Sequence, residues 1–269
     1  MRGKGSLHPL SRHGDSLDHV LEGSVMLSDT TLCDPHSKDT FWMTMSKICV
    51  FDLDGTLANT APDLISALNR VLQDQNLPAA DYEDARAFVG HGARVLIERA
   101  HRAQGIELSD RAATELTERY VDYYKGSIAV ETRLFPNALN AMQALFSDGW
   151  TLAVCTNKRE SLARQLLEAI KIDHHFAAIC GGDTFDYRKP DGRHILSTIA
   201  MAGADPDSAV MIGDAEPDVL AAKDAKIPVI AVDFGYGADA VAALSPDALI
   251  SDFAELPATA ETLIERAVA

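Results

Sequence analysis

Ile48-Cys49-Val50-Phe51-Asp52-Leu53-Asp54-Gly55-Thr56 is the stretch that decides the fold. Its first four residues are apolar and rich in β-branched side chains, the composition of a short strand buried on both faces of a parallel sheet. Side chains alternate along an extended chain, so Asp52 and Asp54 can face the same way while Leu53 turns into the core. Gly55 then permits a sharp turn away from the sheet. An Asx-type turn closing the strand accounts for one aspartate. Two on one face repel each other unless something cationic stands between them. The pattern D-x-D-G-T arises by chance in about one chain of this length in a few hundred. Here it falls at the carboxyl end of a strand, where open α/β sheets bind ligands.

Working outward, Thr60-Ala61-Pro62 reads as a helix cap with Pro in the first turn, leading into a helix over 63–75. Residues from about 81 to 127 are helical in pattern, with breaks at Gly90-His91-Gly92 and Gln104-Gly105. Strand signals resume at 151–155, 177–179, 210–212, 229–232 and 249–250. Helical patterns lie at 137–147, 159–170, 193–202, 216–225 and 257–267. Alternation of this kind predicts an α/β protein with a doubly wound parallel sheet, interrupted after its first strand by an inserted helical block.

Residues 1–44 differ from the rest. They hold His8, His13, His19 and His36, four of the nine histidines, at no metal-ligand spacing and with no sustained periodicity. The stretch VLEGSVML is too short for a secretory signal and is interrupted by Glu22 and Gly23. This segment reads as a disordered or non-native extension, with the native start expected at Met43 or Met45.

A chain of 269 residues, 47% of them hydrophobic, can bury a full core and a second, smaller domain. The net charge of -16 argues against non-specific nucleic-acid binding, which needs a basic footprint. It also requires that an anionic substrate be received by a local cluster of donors. No run approaches the ~20 apolar residues that cross a bilayer. The four cysteines, Cys33, Cys49, Cys155 and Cys180, form no C-x-x-C pair, and three fall in strand-like stretches as small hydrophobes. A reducing cytoplasm is the simplest setting.

Further segments carry chemistry. The strand over 151–155 ends in Thr156-Asn157-Lys158, a hydroxyl, an amide and backbone N–H groups at a helix entrance, suited to a phosphate or to an ordinary helix cap. Arg188-Lys189-Pro190 places a cation in a loop. The strand over 210–212 ends in Gly213-Asp214-Ala215-Glu216-Pro217-Asp218, whose Asp214 and Asp218, four apart, share a face at a helix start. An acidic first turn that compensates the helix dipole has the same pattern. Taken together, Asp52, Asp54, Asp214 and Asp218 are hard oxygen donors with little His or Cys nearby, a set that selects Mg²⁺ over zinc.

In their order, D-L-D-G-T, T-N-K, K-P and G-D-x-x-x-D, these segments resemble the four motifs of haloacid-dehalogenase superfamily phosphatases, from Lys47 to the C-terminus. Finer likeness, to bacterial phosphoglycolate phosphatases, lies in Phe88-Val89-Gly90-His91-Gly92-Ala93, Leu134-Phe135-Pro136 and Gly181-Gly182-Asp183. Two departures are Asp191-Gly192 after Pro190, where K-P-x-P is frequent, and Ala215, where Ser is common. The resemblance implies a Rossmann-like core over 45–60 and 132–269, with a helical C1-type cap over 61–131. It implies Asp52 as nucleophile through an aspartyl-phosphate and Asp54 as acid–base residue. Mg²⁺ would be held by Asp52, the Asp54 carbonyl and Asp214, with Asp218 behind them. Thr156, Asn157 and Lys189 would hold phosphate, and Arg94 in the cap could meet a second anionic group or be solvated. The implied substrate is a small phosphate monoester, first of all 2-phosphoglycolate, handled by a monomer or homodimer. Another metabolite phosphatase (for sugar phosphates, nucleotides or pyrophosphate) and a β-phosphoglucomutase-like mutase share this core. A dehalogenase would not need Asp54 as an acid, and a non-catalytic regulatory module would need neither nucleophile nor acid.

Overall fold

The computed structural model describes residues 47–268. The expectations for residues 1–44, including the histidines, Cys33 and the start at Met43 or Met45, lie outside the described residues.

Six parallel strands form one sheet: β1 (Ile48–Phe51), β4 (Thr151–Cys155), β5 (Ala178–Cys180), β6 (Ala209–Gly213), β7 (Val229–Val232) and β8 (Ala248–Ile250). Their spatial order is β5-β4-β1-β6-β7-β8, so β1 is central and the chain winds outward from it in both directions. Phe51 lies in register with Val154 on one side and Ile212 on the other. The residues that follow these strands, Asp52, Thr156 and Asp214, therefore emerge at one edge of the sheet. All four residues of β1 are fully buried, and each of its three large side chains contributes about 1.5–3 kcal/mol by leaving water. Cys49, Cys155 and Cys180 are free and buried in β1, β4 and β5. The predicted strands fall within a residue or two of the observed ones, which is the ordinary scatter of element ends.

Between β1 and β4 lies a two-stranded antiparallel ladder, β2 (Ala58–Asn59) with β3 (Arg133–Leu134), which the sequence reading did not foresee. The inserted helical cap runs between its two strands: α1 (Ala61–Asp74), α2 (Tyr82–Arg86), α3 (Ala93–Ala103) and α4 (Asp110–Lys125). Helices α5 (Ala138–Ser147), α6 (Glu160–Ala169), α7 (Arg193–Met201), α8 (Glu216–Ala225), α9 (Ala238–Ala243) and α10 (Leu256–Val268) belong to the sheet portion. Among the described residues, no helix is long and apolar enough to cross a membrane.

Asp63, in the first turn of α1, is almost fully buried. Its carboxylate accepts from the backbone N–H of Glu131 (3.0 Å) and from the N–H (2.8 Å) and hydroxyl (2.7 Å) of Thr132, binding the start of the insertion to its end. Thr60 does occupy the N-cap position of α1, but its hydroxyl does not cap the helix. The backbone N–H groups of Thr60 and Ala61 donate instead to the hydroxyl of Tyr236, at 2.7 and 2.9 Å.

Candidate active site

Asp52 and Asp54 are both buried at the end of β1, and each has its own lysine. Lys189 Nζ donates to Asp52 Oδ1 at 2.7 Å and to Asp218 Oδ1 at 2.6 Å. Lys158 Nζ donates to both Asp54 oxygens, at 2.9 and 3.0 Å. Two carboxylates two residues apart are thus given separate counter-charges. Gly55 takes φ +90, and a Cβ there would stand 2.3 Å from Asp214 Oδ2, so the turn after Asp54 requires glycine on both counts.

Asp214 accepts from the Thr56 hydroxyl on Oδ1 (2.7 Å) and from the backbone N–H of Tyr236 on Oδ2 (2.7 Å). Asp218 Oδ2 accepts from the backbone N–H groups of Ala215 (3.0 Å) and Asp214 (3.2 Å), tying down the start of α8. Asp52, Asp214 and Asp218 each offer an oxygen within 4.8 Å of the others. Their electrostatics are strained. Burial pushes the Asp52 carboxyl up to about 7 against the opposing pull of Lys189, and burial with repulsion from Asp218 and Asp52 pushes Asp214 up to about 8. Lys189, attracted by both of its carboxylates, is raised despite its burial. Three buried acids with one buried ammonium among them are short of positive charge, and a hard divalent cation fits this donor set.

Thr156, at the end of β4, is buried and its hydroxyl accepts from the N–H of Lys158 (3.3 Å). The Asn157 side-chain amide donates to the Lys189 carbonyl (3.1 Å), so this Asn braces the lysine loop. Gly182 lets the following loop approach: a Cβ there would lie 2.6 Å from the Asn157 carbonyl.

A cavity of about 270 Å³ is lined by Asp52, Asp54, Thr156 and Asn157 from the strand ends and by Arg94, Thr117 and Tyr124 from α3 and α4. Arg94 reaches this cavity with its charge already matched, by Glu98 and Asp110 at 2.7 Å each. The structure therefore brings Asp52, Asp54, Thr156, Asn157, Lys189, Asp214 and Asp218 together at the sheet edge and sets Arg94 on the cavity wall.

Three participants escaped the sequence reading. Lys158 stood inside the T-N-K segment, but a lysine at a helix entrance ordinarily reads as solvated. Thr56 belonged to the D-L-D-G-T segment without an assigned partner. Tyr236 lies 22 residues beyond its bonding partner Asp214, and no local pattern marks it.

Residues 49–232 match the family model of haloacid dehalogenase-like hydrolases. The chain belongs to this family. Among curated proteins, it is 47% identical over 221 residues to a protein of Mesorhizobium japonicum named phosphoglycolate phosphatase, covering 82% of this chain and 97% of that one. It is 45% identical over 226 residues to the Agrobacterium fabrum protein of the same name, covering 84% and 97%. The crystal structure of a predicted phosphoglycolate phosphatase from Haemophilus somnus superposes with a TM-score of 0.74 at 32% identity, over 81% of this chain and 99% of that one.

Proposed function

We propose that this chain is a Mg²⁺-dependent phosphatase that hydrolyses 2-phosphoglycolate to glycolate and phosphate through an aspartyl-phosphate on Asp52. The observation that carries the reading is the unequal treatment of the two aspartates on the cavity floor, one tied to Lys189 and one to Lys158. Adjacent carboxylates in different environments are suited to different roles. The substrate follows from the relatives named above, which the chain matches over nearly their whole length.

Lys189 engages Oδ1 of Asp52 and leaves Oδ2 to attack phosphorus. As the new O–P bond forms, the bond from phosphorus to the glycolate oxygen breaks, and Asp54 delivers a proton to that oxygen. In the second half, Asp54 accepts a proton from a water that attacks phosphorus, and the bond to Asp52 breaks. Lys189, the Thr156 hydroxyl and the Asn157 backbone N–H receive the phosphoryl oxygens. Asp52, Asp214 and the Asp54 backbone carbonyl would hold Mg²⁺, with Asp218 fixing Lys189 beside them; the cation supplies charge neutralisation at the phosphoryl oxygens.

A phosphate-release screen with Mg²⁺ against 2-phosphoglycolate, sugar phosphates, nucleotides and pyrophosphate tests the proposal. The highest kcat/KM is expected for 2-phosphoglycolate, and a clear preference for a sugar phosphate would replace this reading.

A further inference from the structure

Lys158 is a buried cation on the cavity wall whose role the mechanism above leaves open. Its side chain is 5% exposed, and its Nζ lies 4.5 Å from the centre of the Tyr124 ring in α4. An ammonium has three donors. Two engage Asp54, and the third has no hydrogen-bond partner among the described residues. Tyr124 lines the same cavity, is fully buried, and its hydroxyl also has no hydrogen-bond partner among the described residues. Two buried donors are therefore unspent beside the residue proposed to protonate the leaving group. The other cations on this wall differ. Arg94 is 42% exposed and matched by two carboxylates, Arg159 is paired with Glu118, and Arg188 is exposed.

Resting on the substrate reading above, we infer that Lys158, assisted by the Tyr124 hydroxyl, is the specificity-determining residue that receives the carboxylate of the substrate. Distances support this. An acid must stand within about 3 Å of the oxygen it protonates, and Lys158 is 2.9 Å from Asp54. The ammonium thus lies within about 6 Å of the bridging oxygen. A carboxylate carried on one methylene extends about 3.5 Å beyond that oxygen by ordinary bond lengths. A charge-assisted hydrogen bond of about 2.8 Å closes the remaining gap. Lys158 reads the group one carbon beyond the scissile bond, and it does so while still touching the acid. A neutral hydroxyl at that place can accept a hydrogen bond but brings no opposite charge to the buried ammonium, so it is held less tightly than a carboxylate.

The test compares 2-phosphoglycolate with 2-hydroxyethyl phosphate, in which a neutral CH₂OH replaces the carboxylate. Lys158→Met, which keeps the bulk of the stem, is expected to lower kcat/KM for 2-phosphoglycolate about 100-fold more than for the neutral ester. Lys158→Arg should restore part of that ratio, and Tyr124→Phe should lower it about tenfold. Lys158→Gln serves as a second charge-removing variant, with thermal denaturation checking that each protein is folded. In an Asp52→Asn background, calorimetric binding of 2-phosphoglycolate should weaken on Lys158→Met by a larger factor than binding of the neutral ester does. A wild-type preference for the carboxylate that survives both charge-removing variants overturns the inference alone. A wild-type enzyme indifferent to the carboxylate removes the substrate reading, and this inference with it.

Discussion

The backbone N–H of Tyr236 donates to Asp214 Oδ2 at 2.7 Å, so one residue joins the acidic cluster to the base of the helical insertion. Its hydroxyl, at the other end of the side chain, accepts from the backbone N–H groups of Thr60 and Ala61 and donates to Asn59 Oδ1. Arg86 of α2 reaches the same loop through the Gly235 carbonyl, at 3.1 Å.

Removing that hydroxyl separates the two ends of the link. Tyr236→Phe leaves two buried N–H groups without an acceptor, a cost of about 1–3 kcal/mol. The bond to Asp214 comes from the backbone and should survive. Urea denaturation is therefore expected to show a loss of about 2 kcal/mol, with the Mg²⁺ concentration for half-maximal activity nearly unchanged. A variant as stable as its parent would mean that water takes the place of the hydroxyl.

Metal dependence follows from the charge imbalance among Asp52, Asp214 and Asp218. Chelation by EDTA should abolish turnover and added Mg²⁺ should restore it. Asp214→Asn is expected to raise the Mg²⁺ requirement about tenfold or more. Gly55→Ala, whose methyl would press on Asp214 Oδ2, should act in the same direction. Full activity in EDTA after exhaustive dialysis would remove the metal from the scheme.

The two aspartates of the first strand end should separate kinetically. Asp52→Asn is expected to form no phosphoenzyme with any substrate. Asp54→Asn should lose about 10²–10⁴-fold on alkyl esters, whose alkoxide needs a proton as it departs. With p-nitrophenyl phosphate it should still complete the first step, because nitrophenolate needs little help, and then stall. Rapid mixing should reveal about one equivalent of nitrophenolate per site before slow turnover. Equal slowing of alkyl and aryl substrates, without a burst, would assign Asp54 to holding the site together.

Stability of the metal-free protein should fall as pH rises. The Asp52 and Asp214 carboxyls are held at about 7 and about 8, above the ordinary carboxylate value of about 4 in an unfolded chain. Between those limits the folded state binds more protons. The stability these groups contribute is therefore full below about pH 4 and is lost as pH climbs through 7 and 8. His194 acts oppositely: burial, with Lys189 nearby, lowers it to about 4, so its contribution is lost as pH falls below about 6.5. The window from pH 6.5 to 8 isolates the aspartates, because the thiols of Cys49, Cys155 and Cys180, also raised by burial, begin to count only as pH nears about 8.5. Denaturation midpoints in EDTA should drop there by the equivalent of about 2 kcal/mol, and saturating Mg²⁺ should abolish most of the drop. A flat profile in EDTA would show that other groups absorb the charge.

The sheet was legible because parallel strands are buried on both faces and stand out as apolar runs, as at β1, β4, β6 and β7. The β2–β3 ladder was not, since two-residue strands leave no periodicity to read. Helix α9, with six residues and an alanine-rich sequence, sits below the length at which a helical face declares itself. Among the site residues, the carboxylates were visible because their spacing places them at strand ends. Partners were harder to see. Asp63 looks like an ordinary acidic first-turn residue, and only the fold reveals that its carboxylate accepts from Glu131 and Thr132, 68 and 69 residues away. Arg94 looked like an available cation because nothing in the sequence distinguishes it from an arginine already matched by Glu98 and Asp110.

That Asp63 clasp also bears on how new specificities can arise on this scaffold. The chain leaves the sheet and returns to it side by side, through Ala58–Asn59 and Arg133–Leu134, and the junction is sealed by one carboxylate. A segment whose two ends already touch can be lengthened, shortened or exchanged without parting the strands that carry Asp52, Thr156 and Asp214. The helices thus form a replaceable cassette on an unaltered catalytic floor. Grafting a relative's helices between Asn59 and Arg133, with Asp63 and Thr132 retained, is the cut that respects this seam.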